Sequence, residues 1–141
     1  MRYDPENIFA KILRGEVPAI RVYEDDAVLA FMDIMPRGRG HMLVIPRTPA
    51  RNLLDATPEQ LSACVNASQR LARAARAGLG ADGITLQQFS EAAGGQEVFH
   101  LHFHVIPRYA GVALGRPGIM GDMEDIQAAA GQIRTALEAP A

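Results

Sequence analysis

Three histidines stand at alternate positions in the stretch FHLHFHVIPR, and they are three of the four histidines in the 141-residue chain. Alternate side chains of a strand project from the same face, so His100, His102 and His104 would share one face while apolar residues occupy the other. An imidazole is largely neutral near pH 7 and can serve as a nucleophile, a proton donor or a metal ligand. The triplet therefore predicts either a metal site or chemistry on a phosphate or acyl group.

A metal site shared by all three histidines is disfavoured by their spacing. On a straight strand, His100 and His104 stand about 13 Å apart at about 3.3 Å per residue, whereas zinc ligands approach the ion to about 2.1 Å. Two of the histidines could bind an ion with further ligands, for which His41 and scattered carboxylates are the candidates. The metal site stays the less favoured alternative, and we expect no metal and no other cofactor.

The residues just before the triplet favour phosphorus chemistry. Gly94 and Gly95 can turn backbone N–H groups inward and form an anion-binding concavity, and Gln96 adds a neutral donor. A phosphate bound there would face imidazoles that can attack it and stabilise developing charge. The sequence therefore predicts a small phosphate-bearing ligand next to the histidines.

The composition predicts a single globular domain over residues 1–141. A chain of 141 residues with 48% hydrophobic content can bury a real core. The net charge of −2 and the scattered basic residues provide no surface for duplex nucleic acid or an anionic membrane. The RGRG stretch has too few arginines for an RNA-binding surface. We expect neither a nucleic-acid partner nor a membrane partner.

Targeting and redox features indicate a cytoplasmic protein. The N-terminal MRYDPENIF lacks the charged segment and apolar region of a signal peptide, and no apolar run approaches the roughly 20 residues that span a bilayer. Cys64 is the only cysteine, which excludes an internal disulfide and a multi-cysteine metal site. These features fit a reducing compartment.

The first half of the chain predicts a short helix and three strands. Asp4 as N-cap and Pro5 at the first helical position would begin a helix in DPENIFAKILRG, and Gly15 would end it. The segment RVYEDDAVLAFMDI predicts two strands joined by an acidic turn at residues 24–26, and HMLVIP predicts a third strand over His41–Pro46. These consecutive strands are expected to pair antiparallel.

The second half predicts two further helices and two strands. The stretch TPEQ supplies the N-cap Thr57 and the capping-box residue Gln60 for a long helix that ends near Gly78 or Gly80. GITLQQF and FHLHFHVIP predict the fourth and fifth strands, and apolar residues at helical spacing after Asp122 predict a C-terminal helix. Helices inserted between runs of strands are typical of an antiparallel α+β domain.

Taken together, these motifs resemble the histidine-triad (HIT) family of nucleotide-binding proteins. The resemblance runs from Asn7 to Tyr109 through the blocks NIFAKILRGEVPA, VYEDDAVLAFMDI, GHMLVIPR and GGQEVFHLHFHVIPR. It implies a HIT-like α+β fold: a mostly antiparallel five-stranded sheet, a short N-terminal helix, one long helix and a C-terminal helix. The core would cover about residues 5–110 and the C-terminal helix about 122–138. The resemblance also implies a homodimer that binds a purine nucleotide and cleaves it at the α-phosphate.

The same resemblance assigns roles to individual residues. His102 would be the nucleophile that forms a nucleotidyl-histidine, which water then hydrolyses. His100 and His104 would orient the nucleophile and bind phosphate oxygens, and Gln96 would contact the leaving group. The nucleotide-binding residues would be Asp33 at the ribose hydroxyls, Ile8, Phe9 and Phe31 near the base, and His41, Ser90 and Gly95 around the remainder of the site.

The chain departs from the HIT pattern at two places. Many bacterial relatives have Asn-Gly where this chain has Ser90 and Glu91, and an inward-facing Glu91 would repel a polyphosphate. Some relatives also hold a structural zinc through two cysteines, a histidine and the first triad histidine. Asn7, Ala10 and Pro49 occupy the first three of those positions, and none of them can replace a thiolate or imidazole ligand.

The sequence therefore predicts a nucleotidyl hydrolase that acts on a purine nucleoside phosphoramidate or a dinucleoside polyphosphate. The alternative is a nucleotide-binding regulatory protein with little catalysis, which Ser90 and Glu91 favour. A zinc-dependent hydrolase is a third class, and sensitivity to chelators would distinguish it from the other two.

Overall fold

The computed structural model describes residues 2–139 and shows an α+β domain built on one five-stranded sheet. The strands are β1 Arg21–Glu24, β2 Val28–Met32, β3 Met42–Pro46, β4 Gly83–Gln87 and β5 Phe103–Arg108. The helices are α1 Ile8–Leu13, α2 Pro58–Leu79 and α3 Met123–Glu138, and a 3-10 turn spans Ala92–Gly94. The strands lie in the order β1-β2-β3-β5-β4, and all neighbours pair antiparallel. The predicted fold class is confirmed.

The central strands β2 and β3 are buried along their whole length, because helices cover both faces of the sheet. Alternate residues point to opposite faces, as the pleat of a strand requires. Val28, Ala30, Met42 and Val44 pack toward α2 and α3, whereas Leu29, Phe31, Leu43 and Ile45 pack toward α1. The smaller cluster on the α1 side forms the floor from which the functional site is built.

Local capping signals place α2 where the sequence predicts it. The Gln60 N–H donates to Thr57 Oγ1 at 3.1 Å, and the Thr57 N–H donates to Gln60 Oε1 at 2.9 Å, which completes the capping box. The helix ends at Gly80, whose φ of +66° is a left-handed conformation that glycine adopts without steric cost. The helix after Asp122 and the hairpin between β1 and β2 are likewise confirmed.

The predicted start of the first helix is wrong by one turn. Asn7, not Asp4, is the N-cap, because Asn7 Oδ1 accepts the Ala10 N–H at 2.9 Å. Asp4 instead accepts the Glu6 N–H and closes a turn that precedes the helix. The helix ends before Gly15 as expected, since that glycine has a φ of +79°.

The predicted fifth strand is too long, because β5 begins only at Phe103. The preceding residues are held by the loop after β3 rather than by the sheet: the Leu101 N–H donates to the Ala50 carbonyl at 2.8 Å. The alternation nevertheless persists, since Leu101 is buried in the core while the flanking histidines lie on the opposite side. His100 and His102 therefore lie outside the regular strand.

The helices in residues 2–139 do not include one that combines the length and the apolar character required to cross a bilayer.

Candidate active site

A cavity of about 470 Å³ opens on the α1 side of the sheet. The end of β2, the start of β3, the end of β4 and the triad segment all contribute to its walls. Most of the residues predicted for the site line it: Ile8, Phe9, Phe31, Asp33, His41, Gly95, His102 and His104. His100, Gln96 and Ser90 are not among the lining residues, although the sequence predicts them for the site.

One wall of the cavity is apolar and ends at a carboxylate. The Phe9 ring meets the Phe31 ring edge-to-face, with centroids 5.4 Å apart, and meets the His102 ring at 4.9 Å. The carboxylate of Asp33 follows β2, and its Oδ1 accepts the Met35 N–H at 2.8 Å. Burial raises the pKa of Asp33. An apolar wall next to a hydrogen-bond acceptor fits a ligand with a flat ring joined to hydroxyl groups.

The hydrogen bond of His102 fixes which of its nitrogens can react. His102 Nδ1 lies 2.7 Å from the His100 carbonyl oxygen, and a carbonyl only accepts, so Nδ1 carries the proton and donates it. Burial lowers the pKa of His102, which keeps the ring neutral near pH 7. Nε2 therefore carries no proton and has a free lone pair, and His102 lines the cavity.

His41 and His104 form a second chain of hydrogen bonds. The Arg37 N–H donates to His41 Nδ1 at 3.0 Å, so His41 carries its proton on Nε2. His41 Nε2 then donates to His104 Nδ1 at 2.9 Å, which leaves the proton of a neutral His104 on its own Nε2. The His102 and His104 ring centroids are 5.0 Å apart. Two neighbouring rings that line the cavity thus carry an unprotonated nitrogen and an N–H donor.

His100 is buried and is not among the residues that line the cavity. Its Nε2 donates to the Pro46 carbonyl at 2.9 Å, and its Nδ1 accepts from the Tyr3 hydroxyl at 2.6 Å. Both ring nitrogens are therefore occupied, and the expected contact between His100 and phosphate oxygens is wrong for this geometry. Through its carbonyl, His100 still fixes the tautomer of His102.

The predicted anion-binding concavity at the two glycines is also wrong for this structure. The Gly94 N–H donates to the Glu91 carbonyl at 2.9 Å, and the Gly95 N–H donates to the Ala92 carbonyl at 3.0 Å. These N–H groups close the 3-10 turn on itself, so they do not point at a ligand. Only Gly95 of the pair lines the cavity.

Gln96 holds the turn together instead of facing a leaving group. Its Oε1 accepts the Glu91 N–H at 2.8 Å and an N–H of Asn52 Nδ2 at 3.1 Å. Its Nε2 donates to the carbonyls of Arg51 at 2.8 Å and Val98 at 3.0 Å. The side chain is buried, with 4% exposed, and its hydrogen-bonding capacity is used within the protein.

The Ser90 and Glu91 side chains also face away from the cavity. Ser90 Oγ donates to Gln88 Oε1 at 3.1 Å and accepts the Leu53 N–H at 3.3 Å. The Glu91 carboxylate receives two hydrogen bonds from the Arg51 guanidinium, at 2.7 and 3.0 Å. The condition for repulsion of a polyphosphate, an inward-facing Glu91, is therefore not met, because its charge is paired with Arg51 and lies outside the cavity lining.

Sequence reasoning missed several residues that complete the site. Phe89 contacts the His104 ring, with centroids 5.5 Å apart. Arg37 lines the cavity, and its Nε donates to the Gly115 carbonyl at 2.8 Å, which brings Pro117 and Gly118 to the cavity wall. No local pattern marks these contacts, since Arg37 and Gly115 are 78 positions apart. Arg37 stands in the RGRG stretch considered above for RNA.

One group of side chains has the right types for a metal ion. Within residues 2–139, ligand atoms of Asp33, His41 and His104 all lie within 4.8 Å of one another. Coordination through His41 Nε2 would move the proton of that ring to Nδ1, and Nδ1 already accepts the Arg37 N–H. The donor set therefore does not fit a metal in this arrangement.

Chelation is expected to leave the fold and its stability unchanged. The structural zinc of some relatives would also require His100, both of whose nitrogens are hydrogen-bonded. It would further require a cysteine where this chain has Asn7, which instead caps α1. Thermal unfolding of the purified protein with and without EDTA should give the same Tm, because no zinc binding energy would be lost. Elemental analysis that finds about one zinc per chain, with a lower Tm in EDTA, would contradict this prediction.

Mild acid is expected to destabilise the fold through the buried histidines. Burial is the largest cause that lowers the pKa of His41 to about 4, of His100 to about 4 and of His104 to about 3, from an ordinary 6.5. The unfolded chain binds protons at the ordinary value, so the stabilising contribution is complete above pH 6.5 and is lost as the pH falls toward 4. The free energy of unfolding in urea should fall between pH 7 and pH 5, where ordinary carboxylates stay ionised. A constant value over that interval would show that the imidazoles titrate normally.

The sequence model of the HIT domain matches residues 14–111. An uncharacterized HIT-like protein of Mycobacterium tuberculosis is 47% identical over 100 residues, which are 71% of this chain and 69% of the relative. The adenylylsulfatase HINT3 of Arabidopsis thaliana is 37% identical over 101 residues, which are 72% of this chain and 51% of that protein.

Solved structures extend the likeness over nearly the whole chain. A Hit-like protein from Bartonella henselae, described as involved in cell-cycle regulation, superimposes with a TM-score of 0.91 at 52% identity and covers 96% of this chain and 99% of that one. A zinc-bound histidine triad family protein from Mycobacterium smegmatis gives 0.85 at 41% identity, with 94% and 93% covered. A hypothetical histidine triad nucleotide-binding protein from Sulfolobus tokodaii gives 0.84 at 29% identity, with 92% and 91% covered.

Proposed function

The chain belongs to the HIT family, and from that premise we propose that it is a nucleotide-binding hydrolase. The proposed reaction is cleavage at the α-phosphate of a purine nucleoside phosphoramidate or a dinucleoside polyphosphate. The observation that supports it most is the hydrogen bond from His102 Nδ1 to the His100 carbonyl, which leaves Nε2 unprotonated on a residue that lines the cavity. A neutral imidazole with a free Nε2 needs no separate base in order to attack phosphorus.

The proposed reaction has two displacement steps. His102 Nε2 attacks the α-phosphorus, a P–N bond to the ring forms, and the bond to the leaving group breaks. The leaving group departs with a proton taken from bound water, while the Nε2–H of the neutral His104 stabilises the developing charge by a hydrogen bond and is not itself transferred. The hydroxide left from that water then attacks the same phosphorus, the P–N bond breaks, the nucleoside monophosphate is released and neutral His102 is restored.

Ligand orientation would follow from the two parts of the cavity. The flat base would lie on the apolar wall near Ile8, Phe9 and Phe31, and the ribose hydroxyls would donate to Asp33. These placements come from the HIT resemblance and are supported by the presence of all four side chains in the cavity lining. The phosphate would then lie near His102 and His104, where the N–H of His104 can bind one of its oxygens.

A panel of substrates tests the proposed activity. The purified protein would be incubated with adenosine and guanosine phosphoramidates, dinucleoside polyphosphates and adenosine phosphosulfate, and the nucleoside monophosphate would be measured. The phosphosulfate belongs in the panel because one relative is named an adenylylsulfatase. Release of the monophosphate from at least one substrate is expected, and binding without any release would contradict hydrolysis.

The alternative is a regulatory protein that binds a nucleotide and turns it over little. One observation favours it: Gln96 and the Gly94 and Gly95 N–H groups are engaged within the turn, so they provide no donors to a leaving group in this conformation. A protein of this kind would bind adenosine monophosphate tightly and would form no covalent adduct.

A homodimer is the proposed assembly. Strand β4 ends the sheet order, so its outer edge has no neighbouring strand within residues 2–139, and Leu86 on it is 48% exposed. An uncovered edge strand offers backbone donors and acceptors to a second copy. Sedimentation equilibrium is expected to give twice the chain mass of 15.2 kDa, and a monomer at all concentrations would contradict the assembly.

A further inference from the structure

Glu91 has a backbone conformation that side chains rarely adopt. Within residues 2–139 it is the only non-glycine residue with a positive φ, with φ at +66° and ψ at +161°. This part of conformational space is populated almost only by glycine, and a residue with a side chain stays there only when its surroundings hold it. The contacts of Glu91 show what holds it.

The carboxylate of Glu91 is bound on both oxygens. Arg51 Nε donates to Oε2 at 2.7 Å and Arg51 Nη2 donates to Oε1 at 3.0 Å, which is the two-pronged geometry of a strong ion pair. Asn52 Nδ2 adds a third bond to Oε2 at 2.6 Å. The Arg51 and Glu91 side chains are 21% and 35% exposed, so the pair is partly sheltered from solvent.

The backbone of Glu91 in turn organises residues 91–96. Its N–H donates to Gln96 Oε1 at 2.8 Å, and its carbonyl accepts the N–H groups of Gly94 at 2.9 Å and Gln96 at 3.1 Å. Gln96 also contacts Arg51, because its Nε2 donates to the Arg51 carbonyl at 2.8 Å. Hydrogen bonds to the backbones of Arg51 and Glu91 thus hold the turn that places Gly95 in the cavity wall.

Arg51 also reaches the segment that leads to the nucleophile. Its guanidinium carbon lies 4.3 Å from the centre of the Phe99 ring, and its Nη1 donates to the Arg2 carbonyl at 3.0 Å. The adjacent Ala50 carbonyl accepts the Leu101 N–H at 2.8 Å. Arg51 therefore connects the turn, the N-terminal segment and the residues just before His102.

We propose that Arg51 and Glu91 are positioning residues for the reaction at His102. Neither is among the residues that line the cavity, so the pair acts through the turn and the Phe99–His102 segment and not by touching the ligand. The inference rests on the proposed hydrolase function for its kinetic part. Because the ligand is not contacted, loss of the pair is expected to lower kcat while the affinity for nucleotide changes little.

Two single variants and their combination test this role, and a third single variant, Glu91→Gly, separates it from stability. Glu91→Ala, Arg51→Ala and their combination are expected to lower kcat about 10- to 100-fold, as small misplacements of reacting groups do. The dissociation constant for adenosine monophosphate should stay within about threefold of the wild-type value. The double variant should lose no more than Arg51→Ala alone, since partners in one pair are not additive. Additive losses, or an unchanged kcat in Glu91→Ala, would overturn the proposal.

The third variant, Glu91→Gly, separates positioning from stability. Glycine accepts the backbone conformation of residue 91 and alanine does not, so Glu91→Gly should unfold at a higher temperature than Glu91→Ala. Both variants lack the carboxylate and should have the same low kcat at 25 °C. If kcat instead followed Tm across the two variants, the pair would have a merely structural role and the proposal would fail.

A control and a second readout keep this test independent of the proposed function. Glu24→Ala removes a comparable surface carboxylate, bound to Arg47 and Arg21 at the far end of the sheet, and should leave kcat unchanged. Hydrogen exchange needs no substrate: Glu91→Ala should raise the exchange rates of the Gly94, Gln96 and Leu101 amides, and Glu24→Ala should not. If the wild type hydrolyses nothing, the proposed function fails while exchange still tests the pair. Unchanged exchange in Glu91→Ala would overturn it.

Discussion

His102→Ala is expected to abolish turnover while nucleotide binding persists. The variant removes the unprotonated Nε2 that attacks phosphorus, and loss of the nucleophile from a covalent mechanism costs several orders of magnitude in rate. Binding should change little, because the base wall at Phe9 and Phe31 and the Asp33 carboxylate remain. Single-turnover kinetics and calorimetry with adenosine monophosphate would measure the two effects separately.

His100→Ala provides the comparison for this variant. His100 lies behind the nucleophile and presents no nitrogen to the cavity, so His100→Ala should slow the reaction and still form the adduct. A His102→Ala protein that kept more than a few per cent of wild-type kcat would show that another residue attacks the phosphorus. Circular dichroism would verify that both variants are folded.

His104→Ala is expected to have the second-largest effect, about a 10²- to 10³-fold loss in kcat, which is typical of removing one donor to a developing charge. The proton on His104 Nε2 is present because His41 donates to Nδ1 at 2.9 Å. The loss in kcat should be larger with a phosphoramidate, whose amine must leave with a proton, than with a phosphosulfate, whose leaving group is a weak base. Initial rates on both substrates would measure the difference.

His104→Gln is the matched variant, since its amide keeps an N–H donor without an imidazole. It should recover part of the loss, because the neutral His104 donates a hydrogen bond to the phosphate; no recovery would show that His104 must give up its proton. Equal losses on both substrates in His104→Ala would show that His104 does not assist the leaving group.

The parts of the fold that the sequence predicted well depend on local signals. The helix that begins after Thr57 has its capping partner three residues away, and its end is fixed by the left-handed Gly80. Strands β2 and β3 follow from continuous apolar runs, because helices cover both of their faces. The residues that line the cavity around His102 were predicted from the family resemblance and not from spacing alone.

The parts that the sequence predicted wrongly depend on partners far along the chain. His100 was expected to bind phosphate, but its nitrogens are taken by Tyr3, 97 positions away, and by Pro46, 54 positions away. Glu91 would repel a phosphate only if it faced inward, and Arg51, 40 positions away, pairs with it outside the cavity lining. Neither pairing leaves a periodic or compositional trace, so only the folded structure reveals it.

The measurement that tests the central proposal most directly is acid-quenched peptide mapping of the wild-type protein during turnover. The protein would be mixed with a nucleoside phosphoramidate, quenched within one turnover, digested and analysed by mass spectrometry. The proposed mechanism predicts a nucleotidyl group on His102, the residue whose Nδ1 proton is held by the His100 carbonyl. A nucleotidyl group on His100, His104 or His41, or no adduct with any substrate that is hydrolysed, would contradict it.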